Sequence, residues 1–416
     1  MRAAAFVCTI VAVILTAASA IAAQPRWFTY DPVKIAQARA KIAAGDPLYR
    51  PSYTALLQAA DKALAKKAPS VTDKTLTPAS GDKHDYFSFG PYWWPNPDTP
   101  TGLPYIRRDG QTNPDSKTDA TDSVRLSTFG SDLRSLGLAY TFTRDPKYAV
   151  KAAEMLRVWF IAPKTRMNPN MTYAQAIPGI VDGRGIGIID SRAFIDVMDA
   201  VELIRPSGAL READYQLIKL WYRLFTHWLL TSENGFEEAN WHNNHGTWYD
   251  AQVTAFALFT DQPDVAKRQL KIAVLRRVAG HFDKDGRQVA ELERTRAFHY
   301  SQFNLQAFSR LGRYSELVDA GLTNGDTDPT DLWHFSLDSH GLQAGYGFVA
   351  GYVTPAGTID PSWPYPELTP GDGLDEALGN LLAATRAYND PALRQKAAIL
   401  LAKFPGKIDA LLLPLD

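Results

Sequence analysis

The feature that most constrains the fold is a long series of amphipathic helical stretches, separated by Gly, Pro and Asn residues. Apolar residues recur at helical spacing, and few segments alternate as strands do. The predicted helices span 31–45, 49–67, 131–143, 146–160, 191–204, 211–230, 245–259, 263–281, 296–311, 373–388 and 391–404. Helices joined by short breaks predict an all-α solenoid or toroid, with 45% hydrophobic residues to fill its core.

The balance of acidic and basic residues and the aromatic content argue against two classes of protein. The chain carries 44 Lys and Arg against 45 Asp and Glu, a formal net charge of -1 in 416 residues. Proteins that bind nucleic acid usually carry a marked positive excess, so this balance argues against a nucleic-acid partner. Aromatic residues make up 11% of the chain, which argues against disorder and suggests stacking surfaces in addition to core packing.

The segment 1–23 has the pattern of a secretory signal peptide. Arg2 is followed by an apolar run at 6–15, which is too short to span a bilayer, and by the small residues Ala18-Ser19-Ala20. Cys8, the one cysteine, falls in this segment, so the mature chain has no disulfide, thiol nucleophile or cysteine metal site. We expect one domain at 24–416, without a membrane span, in the periplasm or secreted.

Residues 70–128 break the helical pattern and are rich in Pro, Gly, Asp, Thr and aromatic residues. A loop of this length in a compact domain is usually functional or disordered. Its many rings favour an ordered lid or wall, and 163–190 is a weaker case of the same kind. Tyr92, Trp93 and Trp94 could form an apolar wall for sugar rings or could equally be the buried core of the lid.

Two short segments carry the densest polar chemistry. Residues 240–250 hold three Asn, two His, two Trp and a Tyr at the entry to a predicted helix, which is more than helix capping needs. Its two His residues lie three apart, but no Glu-rich motif accompanies them, so no metal site is predicted. Residues 291–300 add Arg294, Arg296 and Tyr300, which alone would be read as ion-pairing arginines and a core ring.

Together these residue types suit β-elimination from a uronic acid. The C5 proton is weakly acidic, so donors such as Asn, Arg or His must neutralise the adjacent carboxylate. A base removes the proton and an acid protonates the leaving O4, and Tyr and His often fill these roles. An (α/α)-barrel glycoside hydrolase would instead need two carboxylates across the bond. Acids that leave this alternative open are Glu237, Glu238, Asp372, Asp375 and Glu376. A non-catalytic glycan-binding protein is a further alternative.

Four motifs resemble those of alginate-lyase-type polysaccharide lyases. They occur in the order of that family at 91–110, 165–175, 243–245 and 294–300; the first contains Pro-Tyr-Trp-Trp-Pro-Asn-Pro and the third is Asn-Asn-His. The resemblance covers roughly 82–311. It implies an (α/α) toroid, an incomplete barrel with a lid loop and a cleft for an anionic polysaccharide. It also implies cleavage without a metal or any other cofactor.

The resemblance also implies roles for individual residues. Asn244 and Arg294 would neutralise the carboxylate, and His245 and Tyr300 would form the proton-transfer pair. The spacing leaves open whether Arg294 or Arg296 takes the arginine role. Residues expected to bind the rest of the substrate are Tyr92, Trp93, Trp94, Asn170, Tyr173, Gln175, Arg192, Asn243 and Arg296.

Stereochemistry limits the substrate. β-D-Mannuronate and β-D-glucuronate differ at C2 alone, and in both the C5 proton and O4 have a syn relationship. One Tyr on that face could act as base and then as acid, whereas guluronate, inverted at C5, would need two groups on opposite faces. The sequence therefore favours polymannuronate or glucuronan over polyguluronate, with no preference between the first two.

Overall fold

Helices form most of the chain in the computed structural model, which describes residues 25–323 and 329–415. The predicted signal peptide at 1–23 lies outside the described residues. The helices are α1 (Pro32–Ala43), α2 (Arg50–Leu64), α3 (Ser123–Thr143), α4 (Pro146–Phe160), α5 (Ala193–Ile204), α6 (Glu212–Thr231), α7 (Glu233–Ala239), α8 (Asn244–Phe259), α9 (Pro263–Ala273), α10 (Ala279–His281), α11 (Val289–Leu292), α12 (Ala297–Ser315), α13 (Leu342–Gly351), α14 (Leu374–Tyr388), α15 (Pro391–Lys403) and α16 (Asp409–Leu412).

The strands are short and pair two by two. Parallel pairing joins β1 (Phe87–Phe89) to β4 (Tyr173–Ala176). Antiparallel pairs are β2 (Trp93–Trp94) with β3 (Ile106–Arg107), β5 (Leu322–Thr323) with β6 (Pro329–Thr330), and β7 (Ser336–Leu337) with β8 (His340–Gly341).

Three helices begin with an Asp followed by a Pro. The side chains of Asp31, Asp145 and Asp390 each accept a hydrogen bond from a backbone N–H in the first turn of α1, α4 and α15. Pro suits the first helical position because its ring fixes φ and its missing N–H would have had no partner there. These starts agree with the sequence prediction to within a residue.

The helices form two layers around a central axis. In the inner layer α3 packs on α5, α5 on α8, α8 on α12 and α12 on α14, and α16 packs on both α14 and α2. Outer helices such as α4, α6, α9 and α15 pack against this layer. The ring encloses a cavity of about 720 Å³. This arrangement confirms the predicted all-α toroid.

Several helices differ from the prediction, because α7, α11 and α16 were not predicted and α9 ends at Ala273, not at 281. Helix α3 was expected at 131–143 but begins at Ser123, and Gly130 lies inside it. A Cβ at Gly130 would lie 3.0 Å from the Cβ of Ala193, so this glycine allows close packing of α5 and does not end the helix. No helix was predicted between 311 and 373, but α13 lies there. Its Gly345 sits against the ring of Phe282, where a Cβ would lie 2.2 Å from a ring carbon.

The lid between α2 and α3 is ordered and is held by a buried ion pair. Lys74 lies 2.8 Å from Asp122, and both side chains are fully buried. The Lys74 ammonium also donates to the carbonyl groups of Val71 and Lys83, and Arg125 pairs with Asp122 at 2.7 Å. The two ends of the lid are therefore joined at its base. No helix among the described residues is long and apolar enough to span a membrane.

We predict that Lys74→Met destabilises the protein by about 3–5 kcal/mol, because it leaves the Asp122 carboxylate buried beside a single arginine. Thermal or urea unfolding measures this loss. Lys67→Met is the matched control, since Lys67 is 85% exposed and pairs with Asp73 at 3.4 Å. It should change the free energy of unfolding by less than about 1 kcal/mol. Equal losses in the two variants would contradict the role of the buried pair.

Candidate active site

The candidate site lies where the inner helices begin, beneath the lid. Asn244 is the first residue of α8, Tyr300 lies in the first turn of α12, and Arg192 directly precedes α5. The first turn of α14 reaches α12 through Glu376, which contacts His299 at 2.7 Å. Helix N-termini present backbone N–H groups and a partial positive charge. This end of the toroid therefore favours an anionic ligand.

Tyr300 occupies the centre of the site. Its hydroxyl lies 2.6 Å from the hydroxyl of Tyr92, a lid residue. The Arg294 guanidinium carbon lies 3.7 Å from the centroid of its ring. Burial raises the pKa of Tyr300 well above its usual range, the neighbouring Tyr92 raises it further, and the charge of Arg294 acts in the opposite direction. Tyr92 thus contacts the central tyrosine directly, in addition to any contact with a sugar ring.

Arg294 is fixed by an acid from the lid. Its Nε and Nη2 donate to the two carboxylate oxygens of Asp109 at 3.1 and 2.9 Å. These bonds use one edge of the guanidinium and leave Nη1 for a ligand. Arg296 instead pairs with Asp372, which directly precedes the turn into α14. The geometry thus favours Arg294 over Arg296 as the arginine beside the Tyr300 ring.

His245 is oriented by a buried glutamate. Its Nδ1 lies 2.9 Å from Glu238 Oε1, and the other carboxyl oxygen of Glu238 is buried with no hydrogen-bond partner among the described residues. Burial raises the pKa of Glu238, and His245 acts against that shift. Asn243 caps α8 by accepting a hydrogen bond from the His245 backbone N–H at 3.1 Å. The ring Nε2 remains for a ligand.

Asn244 is oriented by a second buried glutamate. Its backbone N–H donates to Glu291 Oε1 at 2.6 Å and its side-chain Nδ2 donates to Oε2 at 2.8 Å. Burial raises the pKa of Glu291, and the two bonds from Asn244 oppose that shift. One carboxyl group thus fixes both the helix start and the amide plane of Asn244.

The predicted aromatic wall is half-buried. Trp94 donates from its indole N–H to the Gln111 carbonyl at 2.9 Å, and the Arg108 guanidinium lies 5.3 Å from its ring. Trp93 lies beside Arg184, at 5.8 Å. Each tryptophan therefore has one neighbouring arginine at cation–π distance.

The other predicted binding residues fall into two groups. Arg192 lies 5.2 Å from the Phe303 ring, which in turn stacks on His299, the residue before Tyr300. In contrast, Asn170 donates to Asp85 at 3.1 Å, and Tyr173 pairs with Phe87 in the ladder of β1 and β4. The structure thus connects Arg192 to the site through Phe303 and His299, and it gives Asn170 and Tyr173 contacts that hold the lid.

The acids considered for hydrolysis are all engaged by other groups. The contacts are Glu237 with the Gly185 backbone N–H, Glu238 with His245, Asp372 with Arg296, Asp375 with Lys407, and Glu376 with His299. No two of them are left free to flank a glycosidic bond. Among the described residues, no group of three or more His, Cys, Asp or Glu side chains is placed to hold a metal ion.

Sequence reasoning did not assign Asp109, Glu238 and Glu291 to the site. Asp109 lies 185 residues from Arg294, and no local pattern connects the two. Glu291 belongs to the segment 291–300 that the sequence singled out, and Glu238 was considered solely as an acid for hydrolysis. The missing signal was the acid paired with each of Arg294, His245 and Asn244, and these pairings require the fold.

A helical toroid with tyrosine, histidine, asparagine and arginine side chains grouped beneath a lid defines a class, the polysaccharide lyases. The family model described as "Alginate lyase" matches residues 70–359. The chain therefore belongs to the alginate lyase family and is a lyase, which excludes the hydrolase and the non-catalytic alternatives.

Solved structures agree with this assignment. An alginate lyase from Bacteroides ovatus is 37% identical, with a TM-score of 0.85 over 94% of this chain and 100% of that one. Alginate lyase A1-III from Sphingomonas species A1 is 14% identical, with a TM-score of 0.52 over 89% and 97%. A variant of A1-III complexed with a tetrasaccharide is 16% identical, with a TM-score of 0.59 over 96% and 98%. The last two show a shared fold. No curated protein matches the chain.

Proposed function

We propose that this lyase cleaves polymannuronate or glucuronan by β-elimination, leaving a 4,5-unsaturated uronate at the new end. The observation that carries the proposal is the position of Tyr300, whose hydroxyl is bound by Tyr92 and whose ring lies under Arg294. The family supports an anionic polysaccharide as substrate, and a related lyase has been solved with a tetrasaccharide.

In this mechanism Tyr300 removes the C5 proton and returns a proton to the leaving O4. The phenol must be ionised to act as a base, and burial opposes ionisation. The positive charge of Arg294 beside the ring favours the ionised form. His245, oriented by Glu238, lies ready to accept or supply a proton through Nε2. No metal or cofactor takes part in the proposed steps.

In the same mechanism, Arg294 and Asn244 neutralise the substrate carboxylate. As the C5 proton leaves, negative charge moves onto that carboxylate, and donors already aimed at it stabilise the transition state without reorganisation. Asp109 holds Arg294 through two hydrogen bonds, and Glu291 holds Asn244 through two more. Both donors are therefore fixed before the substrate binds.

A substrate panel tests this proposal. Polymannuronate, glucuronan and polyguluronate are incubated side by side, and the conjugated C4–C5 double bond is followed by ultraviolet absorbance. We expect turnover of polymannuronate, glucuronan or both, because one tyrosine can serve the syn geometry that they share. Polyguluronate should react far more slowly. Preferential cleavage of polyguluronate would refute the single-tyrosine mechanism.

We also propose that the enzyme acts outside the cytoplasm, on the evidence of the pattern at 1–23. The protein recovered from the extracytoplasmic fraction should begin between Ile21 and Gln24. Its N-terminal sequence measures this directly. A recovered protein that still begins at Met1 would contradict export by a cleaved signal peptide.

A further inference from the structure

Arg184 is a half-buried arginine without an acidic partner. Most other half-buried arginines of the inner ring form ion pairs, such as Arg294 with Asp109 and Arg310 with Asp196. Arg184 forms no ion pair with any carboxylate in the described ranges 25–323 and 329–415. Two of its five N–H donors are used, and both bind oxygens of Gln175, the backbone carbonyl and the side-chain Oε1, at 3.1 Å. A charge removed from water without a counter-ion is costly unless a ligand supplies one.

The backbone around Arg184 is built to hold it in place. Glycines flank it, and a Cβ at Gly183 would lie 2.0 Å from the Thr172 carbonyl oxygen. At Gly185 a Cβ would lie 2.5 Å from the Cβ of Glu237. The Arg184 N–H donates to the Ala174 carbonyl at 3.1 Å, so the segment lies tightly along β4. The loop therefore fixes the position from which the arginine extends.

Gln175, the residue that binds the Arg184 side chain, has a strained backbone conformation. Its φ is 50°, a left-handed conformation that is unfavourable for a residue with a side chain. In this conformation its two oxygens accept hydrogen bonds from Arg184, and its side-chain N–H donates to Asp190 at 3.1 Å. Strain of this kind persists where the surrounding contacts impose it, and it is common at binding sites. Gln175 thus holds the Arg184 side chain in place.

Arg184 also faces the aromatic wall of the lid. Its guanidinium lies 5.8 Å from the Trp93 ring. A Cβ at Gly90 would lie 2.7 Å from Trp93 and 2.9 Å from Arg184, so this glycine leaves room for both side chains. The charges that act on Arg184 from beyond ion-pair distance are those of Glu237, Asp190 and Glu238, which attract it, and that of Arg107, which repels it. Burial lowers the pKa of Arg184 to about 10, although the nearby carboxylates oppose that shift.

We propose that Arg184 and Trp93 form a second carboxylate subsite, which binds the uronate next to the one that reacts at Tyr300. Trp93 follows Tyr92, which contacts Tyr300, and the charges that act on Arg184 include Glu238, the partner of His245, so the subsite adjoins the candidate active site. A uronate polymer carries one carboxylate per sugar, so a second cation in the cleft can bind the carboxylate of a neighbouring sugar. Arg184 supplies a guanidinium for the carboxylate, and the Trp93 ring supplies a stacking face for the sugar. This inference rests on the proposed function.

Kinetics of Arg184→Gln on polymannuronate and glucuronan test the subsite. We expect KM to rise roughly 10- to 100-fold, the usual effect of losing a hydrogen-bonded charge, with little change in kcat. The KM of the variant should also depend less on salt, because one ionic contact is gone. Arg184→Lys keeps the charge and should recover part of the affinity. Arg223→Gln, an exposed arginine on the outer face of α6, is the matched control and should match the parent enzyme.

The outcomes separate the two proposals. If the parent enzyme cleaves these polymers but Arg184→Gln keeps the parent KM, the subsite is refuted and the proposed function stands. A fall in kcat with an unchanged KM, in both Arg184→Gln and Arg184→Lys, would show that the arginine supports the fold around Tyr300, and would also refute the subsite. If the parent enzyme cleaves none of the uronate polymers, both proposals fail.

Discussion

Replacing Tyr300 with Phe is expected to abolish nearly all turnover while the fold and substrate binding persist. The phenol hydroxyl is the group proposed to carry the proton between C5 and O4, and Phe keeps the ring on which Arg294 stacks at 3.7 Å. Loss of a general acid–base group typically lowers kcat by about 10²–10⁴-fold. We expect the upper part of this range, because one residue serves both steps. Initial rates from ultraviolet absorbance give kcat, and calorimetry gives substrate affinity.

Tyr92→Phe is the matched control for this variant. It removes the same 2.6 Å hydrogen bond between the two hydroxyl groups but leaves the Tyr300 hydroxyl in place. A much smaller loss in Tyr92→Phe than in Tyr300→Phe would show that the hydroxyl of Tyr300 itself is required. If Tyr300→Phe kept near-full activity while His299→Ala or Arg296→Ala lost it, the catalytic role would belong to one of these neighbouring residues and not to Tyr300.

His245→Ala is expected to have the second largest effect, a loss in kcat of at least about 10²-fold. The imidazole is held by Glu238 at 2.9 Å and assists proton transfer or the ionisation of Tyr300. The substitution also leaves Glu238 without its hydrogen bond, which destabilises the protein by about 1–3 kcal/mol, so rates are compared well below the unfolding temperature.

The chain supplies a close control for this loss of stability. His299 forms a similar pair with Glu376 at 2.7 Å, and its side chain is 17% exposed against 16% for His245. Because Glu376 is 25% exposed and Glu238 is fully buried, His299→Ala should destabilise the protein less than His245→Ala and should have a small effect on kcat. Similar losses of kcat in the two variants would mean that His245 acts through the fold alone.

The helical fold could be predicted because its signals are local. Asp followed by Pro marks a helix start wherever it occurs, and α4 spans the predicted 146–160 for this reason. Glycine was the source of error, since its meaning depends on contacts distant in sequence. Gly130 lies inside α3 because Ala193 packs against it, and Gly345 lies inside α13 because Phe282 does.

The site shows the same division between local and long-range signals. Asn244, His245, Arg294 and Tyr300 stand out because their residue types suit one reaction and because they lie in two short segments. Their partners do not stand out. Glu238 and Glu291 look like ordinary surface acids in the sequence, and Arg184 looks like part of a glycine-rich loop. Burial and pairing give these residues a role, and both arise from the tertiary packing of the toroid.

The most direct test of the proposed mechanism replaces Tyr300 with a difluorotyrosine, whose phenol has a lower pKa, and measures kcat/KM against pH. A general base must be ionised, so activity should rise with pH, and burial of Tyr300 places this rise on the alkaline side. If Tyr300 transfers the proton, the rising part of the profile should move to lower pH, in step with the lower phenol pKa. A profile that stays at the same pH in the fluorinated enzyme would contradict the mechanism.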